Sequence, residues 1–328
     1  MTILVTGASG FLGSHVAEQL SQAGRAVRVL VRRSSDTRFL RTLKGVELVE
    51  GAVDDRESVL RAAQGVAAVV HSAGLVKARN LAEFMRVNAQ GTENMLAAAL
   101  AQKSGFKRFV LVSSITAGGP SDKQGNPVPA DATPNPVTDY GRSKLAAERA
   151  AIALKDQLPI TILRPPAIYG PRDREILAFF KSIKFGVLPL LGSPNSKLSM
   201  TYGPDCARAC IRAIDADVAS GSIFTLDDGA VHTMAELIYE AESAVGKKAF
   251  LRIPLPRRVV EGAATLSELY GRVSNRAVML TRDKCNELFD QWVCDSKRAQ
   301  AELGWIPEMR FSDGVKHTVE WYREAGWL

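Results

Sequence analysis

The sequence predicts an α/β protein: a doubly wound parallel sheet with a smaller, mostly helical C-terminal part. Three observations predict it. Short β-branched runs alternate with helical periodicities through the first half of the 328 residues. That order gives a parallel sheet with helices on both faces. The runs are apolar almost without interruption, as strands covered on both sides require. A glycine cluster, Gly7, Gly10 and Gly13, lies between the first run and the first helical stretch.

In chain order, Ile3-Leu4-Val5 precedes a periodic stretch from Leu12 to Ala23, then a strand from Ala26 to Val31. Val46 to Val49 is followed by a helical Arg56 to Ala63, then by a strand from Val66 to His71. One long helix is expected from Leu81 to Gln102, then a strand from Phe109 to Val112. Tyr140 to Asp156 predicts a helix and Ile160 to Leu163 a strand. Beyond Arg164, Pro165, Pro166, Pro171, Pro189 and Pro194 punctuate loops around a short helix near Ile176 to Lys184. Helical patterns recur at Asp205 to Asp215, Thr233 to Val245, Pro256 to Val273 and Asp313 to Ala325. Between the first two, Ser222 to Leu226 predicts one more strand returning to the sheet. The expected division is residues 1–168, with 205–228 returning to them, for a nucleotide, and 169–204 with 229–328 for a substrate.

Composition narrows the function classes. A content of 46% hydrophobic and 23% charged residues is that of a globular protein. No apolar run approaches the ~18 residues that span a bilayer, so no stable membrane insertion is expected. The N-terminus starts as a strand and shows no secretory pattern, which predicts a cytoplasmic protein. Cys206, Cys210, Cys285 and Cys294 lack paired metal-ligand spacing and the four histidines are scattered, so no metal site is expected. The net charge of +7 is spread along the chain without a basic tail, which argues against nucleic acid as a partner. Residues 251–273 combine basic residues with an apolar helical face, expected to pack on the substrate domain.

The strongest motif is Thr6-Gly7-Ala8-Ser9-Gly10-Phe11-Leu12-Gly13, placed between a strand and a helix. Gly7 permits the tight turn, Gly10 admits a pyrophosphate, and Gly13 lets the helix approach the sheet, the Rossmann arrangement. Ser9, Phe11 and Leu12 belong to the same phosphate-binding turn, whose helix start offers free N–H groups and a positive dipole end. Where a ribose-binding acid often ends the second strand, Arg32 and Arg33 follow Val31. Each charge-assisted bond to a phosphate contributes about 1.5–3 kcal/mol, so NADP(H) is the expected cofactor and NAD(H) the alternative.

Tyr140-Gly141-Arg142-Ser143-Lys144 carries the acid–base signal. A four-residue spacing sets Tyr140 and Lys144 one helical turn apart on one face. The Lys144 ammonium, with an oxidised nicotinamide, is expected to pull the phenol's pKa down toward working pH. Ser114 sits at the carboxyl end of the preceding strand, the edge where open parallel sheets bind ligands. There it would hold a carbonyl or hydroxyl beside Tyr140.

With His71-Ser72-Ala73-Gly74, Leu163-Arg164-Pro165-Pro166, Ile168-Tyr169-Gly170-Pro171 and Ala301-Glu302-Leu303-Gly304-Trp305, these motifs fall in the order of a known family. The chain resembles the extended short-chain dehydrogenases/reductases over nearly its full length, and most of all their 3β-hydroxysteroid dehydrogenase and dihydroflavonol reductase types. The resemblance implies that Lys144 also holds the nicotinamide ribose and that Asn88 supports a proton-relay water. It implies that Ala73 and Gly74 line the cofactor and that backbone from Pro165 to Ala167 meets the nicotinamide amide. Gly51-Ala52-Val53-Asp54 departs from the family's Gly-Asp-Leu, so the acid's contact with the adenine amine is lost or shifted to Asp54, with Val53 beside the cofactor. Leu198 stands where sugar-nucleotide relatives carry a phosphate-pairing arginine. The expected activity is interconversion of a secondary alcohol and a ketone on an apolar or ring-bearing small molecule. The alternatives are a sugar-nucleotide epimerase or dehydratase with the same triad, and a non-catalytic NADP-binding sensor. Relatives often pair through helices, which implies a homodimer.

Overall fold

The computed structural model describes residues 1–102, 105–274, 277–278 and 280–328. The first half runs β1 (Thr2–Thr6), α1 (Phe11–Gln22), β2 (Ala26–Val31), β3 (Val46–Glu50), α2 (Arg56–Ala63) and β4 (Ala68–His71). It continues through α3 (Leu81–Phe84), α4 (Gly91–Ala101), β5 (Arg108–Val112), α5 (Asp139–Ile152) and β6 (Ile160–Arg164). Then follow β7 (Ala167–Tyr169), α6 (Leu177–Phe185), β8 (Val187–Leu191), β9 (Lys197–Leu198), β10 (Met200–Tyr202) and α7 (Gly203–Asp215). The chain ends with β11 (Ser222–Thr225), β12 (His232–Thr233), α8 (Met234–Val245), β13 (Leu251–Leu255), α9 (Arg257–Ser274), α10 (Arg282–Phe289), α11 (Lys297–Leu303) and α12 (Phe311–Glu324).

Seven parallel strands form the main sheet in the order β11-β6-β5-β4-β1-β2-β3. The chain therefore reverses direction between β1 and β4, where a doubly wound sheet opens its ligand crevice. Alternate side chains of each strand feed opposite layers. Ile3 and Val5 pack with Val16, Leu20, Cys206 and Cys210 of α1 and α7, whereas Leu4 packs with Val59 and Met95 of α2 and α4. Both layers are dry, which is why the strands read as unbroken apolar runs. Ala299, Leu303 and Trp305 join the α1–α7 layer, and the Trp305 indole donates to the Asp205 carbonyl at 2.9 Å.

A third core, built from Tyr169, Phe180, Leu188, Leu237, Ile238, Val319 and Tyr322, holds α6, α8 and α12 together. Three two-stranded pairs (β7–β10, β8–β13 and β9–β12) lie outside the main sheet. No helix among the described residues is long and apolar enough to cross a membrane.

Two expectations need correcting. The stretch from Leu81 to Gln102 is not one α-helix: α3 and α4 are joined by a π-helical segment, Met85–Gln90. The wider turn holds Asn88, whose amide bonds the Leu75 loop and Ser143, and those contacts stabilise the local departure. The catalytic-region helix ends at Ile152, four residues early, because Ala153 to Asp156 close in turns.

Candidate active site

The carboxyl ends of the central strands open into one cleft of about 2080 Å³. Single small-molecule pockets span ~300–1,000 Å³, so this cleft has room for a dinucleotide and a second molecule. Gly7, Ser9, Gly10, Phe11, Leu12 and Gly13 line one end together with Arg32, Val53, Asp54, Ala73 and Gly74. Ser114, Tyr140, Lys144, Pro165 and Ala167 line its middle. Arg33 is exposed and is not among the lining residues, whereas Ser35 and Arg38 are. Asp36, in the same loop, is engaged by Arg38 through 2.6 Å and 3.0 Å bonds. Asp54 pairs with Arg86.

The glycine turn fits a diphosphate. Gly7 holds φ at 73°, and its amide oxygen accepts the Gly10 N–H at 2.9 Å. A Cβ on Gly13 would lie 2.3 Å from the Gly7 oxygen, so only glycine lets the helix start this close to the strand. No side chain caps α1. Its first-turn N–H groups are thus left for a ligand anion.

In the middle of the cleft, the Ser114 Oγ accepts the Thr116 N–H at 3.2 Å and the Thr116 hydroxyl at 2.9 Å. With those acceptor directions used, its own proton points to a further acceptor. The Tyr140 phenol lies beside the Ser114 hydroxyl, and Phe84 packs 6.0 Å from its ring. Thr138 caps α5 by accepting the Gly141 N–H at 3.0 Å, which fixes the turn carrying Tyr140. Lys144 extends from the same face, its Nζ 2.9 Å from the Val112 carbonyl and 5.9 Å from the Tyr140 ring centre.

Burial pushes the Tyr140 phenol up, the Glu287 carboxylate adds to this, and the Ser114 hydroxyl only partly opposes it. The Ser114 hydroxyl does not offset the burial, and Lys144 points at the Val112 carbonyl. The phenol is therefore held protonated, the state of a proton donor. Burial brings Lys144 down to about 8, with Glu148 opposing. His71 is buried between the Thr6 and Thr92 hydroxyls, and burial followed by the Lys144 charge lowers it to about 3. It stays neutral.

Asn88 lies behind the cleft wall. Its Oδ1 accepts the Leu75 N–H at 2.7 Å, and its Nδ2 donates to the Leu75 carbonyl and to Ser143 Oγ. Beneath the site Glu148 of α5 accepts Arg164 Nε at 2.8 Å, Arg164 Nη2 at 2.6 Å and Ser113 Oγ at 2.5 Å.

Sequence reasoning passed over several cleft residues that shape the site. Thr116 orients Ser114, and its place in Ser113-Ser114-Ile115-Thr116 was the available signal. Arg172 bonds Ser14 and Glu18 and lies 4.2 Å over the Phe39 ring, in a left-handed conformation with φ at 72° that no pattern foretells. Lys284 and Glu287 of α10 pair at 2.5 Å and border the cleft. Their neighbour Asp283 accepts the Asp139 N–H at 2.8 Å and so clasps the start of α5.

The model of the NAD dependent epimerase/dehydratase family matches residues 3–226. This chain belongs to that family. As a member it is an NAD(P)-dependent oxidoreductase of the extended short-chain dehydrogenase/reductase type. Among its relatives, a ceramide reductase of Caulobacter vibrioides is 36% identical over 331 residues, covering 99% of this chain and 96% of the relative. A 2-alkyl-3-oxoalkanoate reductase of Stenotrophomonas maltophilia is 27% identical, covering 96% and 98%. The crystal structure of UDP-glucose 4-epimerase from Thermotoga maritima with UDP-glucose superposes with a TM-score of 0.81 at 24% identity, covering 99% of both chains. That likeness is one of fold. Among the described residues no group of three or more potential ligands could hold a metal ion.

Proposed function

We propose that this family member is an NADP(H)-dependent reductase or dehydrogenase interconverting a secondary alcohol and a ketone on an apolar substrate. The observation that carries the reading is the gathering of Ser114, held by Thr116, with Tyr140 and Lys144 in a cleft walled by Leu75, Val76, Phe84, Leu198, Met234 and Trp292. Leu198 faces this cleft where a sugar nucleotide would need a cation. The neighbouring Lys197 spends its ammonium on the Gln124 carbonyl at 2.9 Å. Both features favour the oxidoreductase over the epimerase. The names of the ceramide and 2-alkyl-3-oxoalkanoate reductases support an apolar substrate.

When bound, the nicotinamide supplies hydride to, or takes it from, the substrate carbon. Ser114 donates its free proton to the substrate oxygen and holds it against Tyr140. Tyr140, kept protonated by burial, delivers its proton to that oxygen as negative charge develops. Lys144 holds the ribose and offsets the phenolate that remains. Asn88 acts as a positioning residue for the Leu75 loop. Arg32, at the cleft edge, favours a 2′-phosphate by roughly ten- to a hundred-fold. Residues 1–168 with 205–228 serve the cofactor, and 169–204 with 229–328 the substrate. Four free, buried thiols support a reducing cytoplasm.

The test is NADPH oxidation at 340 nm against a panel of long-chain and ring ketones. Tyr140→Phe abolishes turnover and leaves NADPH binding intact. Substantial residual turnover in that variant removes Tyr140 from the mechanism.

A further inference from the structure

The helix α9 covers its neighbours with only one face. Val260 and Ala264 are buried against Leu191, Leu255, Leu280 and Phe289. Glu268 and Gly271, on the inner side, border the cleft. Among the described residues nothing covers the opposite side. Val259, Leu266, Tyr270 and Val273 are 55%, 69%, 60% and 81% exposed. Steps of seven, four and three residues put them in one stripe. Leu269 flanks the stripe, and Phe250, Leu251 and Ile253 extend the exposed apolar surface into β13. Rows of this kind on a soluble protein mark a surface that something else covers.

Charge indicates what covers it. Residues 247–258 contain Lys247, Lys248, Arg252, Arg257 and Arg258 and no carboxylate. All five are exposed; Arg252 is held by Glu242 and Arg257 by Glu261, which leaves Lys247, Lys248 and Arg258 without an acidic partner among the described residues. Apolar side chains interleaved with cations match the two layers of an anionic bilayer: acyl chains for the stripe, phosphates for the cations. A second copy would offer apolar surface, but its own 247–258 segment holds no anion to meet these cations.

We infer that segment 247–258 and the bare face of α9 dock this enzyme on an anionic phospholipid surface. The helix is then a single wall between lipid and cleft, its outer stripe in the bilayer interface and Glu268 with Gly271 on the inside. An apolar ketone drawn from the bilayer would reach the cleft past this wall without crossing bulk water. That consequence alone rests on the substrate reading above.

The experiment is co-sedimentation of the full chain with vesicles of phosphatidylcholine alone and of phosphatidylcholine mixed with phosphatidylglycerol. The expected result is binding to the mixed vesicles, weakened by salt, and little binding to the neutral ones. The paired change Leu266→Glu with Tyr270→Glu lowers binding at least about tenfold. Lys248→Glu with Arg258→Glu removes the preference for phosphatidylglycerol. NADPH binding, followed by fluorescence, is unchanged in both variants and reports an intact fold. Equal, weak sedimentation with both vesicles overturns the inference. So does a dimer of the parent chain that Leu266→Glu with Tyr270→Glu dissociates, which assigns the stripe to a second copy. Failure to reduce any ketone would refute the substrate reading and leave vesicle binding untouched.

Discussion

Replacing Glu148 by alanine tests the layer beneath the active site. Its carboxylate and the Arg164 guanidinium are each only 3% exposed and joined by two parallel bonds, while Ser113 donates a third to the same carboxylate. Without Glu148, the Arg164 charge stays buried with one remaining partner, the Ala130 carbonyl at 3.3 Å. Breaking one half of a buried pair costs about 3–5 kcal/mol. A chain of this size loses roughly 2 °C per kcal/mol, so the melting temperature falls by about 6–10 °C. Glu148→Gln keeps an acceptor and loses less. The double change Glu148→Leu with Arg164→Met removes both charges and recovers most of the loss, since well-packed apolar replacements of buried pairs are often neutral. Calorimetry on the three variants and the parent decides the matter. A single alanine variant melting within about 2 °C of the parent refutes the reasoning, as does a double variant less stable than Glu148→Ala.

Lys144→Met isolates the cost of a buried ammonium. The folded pKa of about 8 lies below the ordinary lysine value of 10.5, so between these values the unfolded chain binds more protons and stability rises with pH. The penalty is full below the folded value and amounts to about 3 kcal/mol; chemical denaturation from pH 7 to 10.5 shows the rise in the parent and its absence in the variant. Gly13→Ala drives a Cβ into the Gly7 carbonyl at 2.3 Å and displaces the helix start. NADPH binding by fluorescence titration weakens at least about a hundredfold, and retained affinity would refute the assigned turn. Arg32→Ala narrows the preference for NADPH over NADH by about ten- to a hundred-fold. Unchanged selectivity in paired titrations would instead place the 2′-phosphate on Arg38.

The strands and the glycine turn were legible because their physics is local. Unbroken apolar runs such as Phe109 to Val112 need cover on both faces, and Gly7 and Gly13 answer contacts made within a few residues. Tyr140, Ser114 and Lys144 were legible through helical spacing and strand position. The π-helical break was not, because Met85 to Gln90 has ordinary helical composition and departs from α geometry for contacts made by Asn88 at Leu75 and Ser143. Nor was α10, a short and mostly polar helix whose meaning comes from where Asp283, Lys284 and Glu287 land. The orientation of Lys144 was not legible either. Periodicity shows that Lys144 shares the face of Tyr140 but not that the ammonium turns to the Val112 carbonyl.

The clasp between Asp283 and the backbone of Asp139 has a consequence for how such an enzyme acquires new specificities. On the division proposed above, substrate choice rests largely with the C-terminal third, remote in sequence from the proposed proton donor. Here that third grips the first turn of the donor's own helix, and Arg142 reinforces the grip at 3.5 Å from Asp283. Grafting a foreign C-terminal segment to change what enters the cleft would therefore also move the acid itself. Successful grafts must carry an acceptor for that N–H along with the new walls.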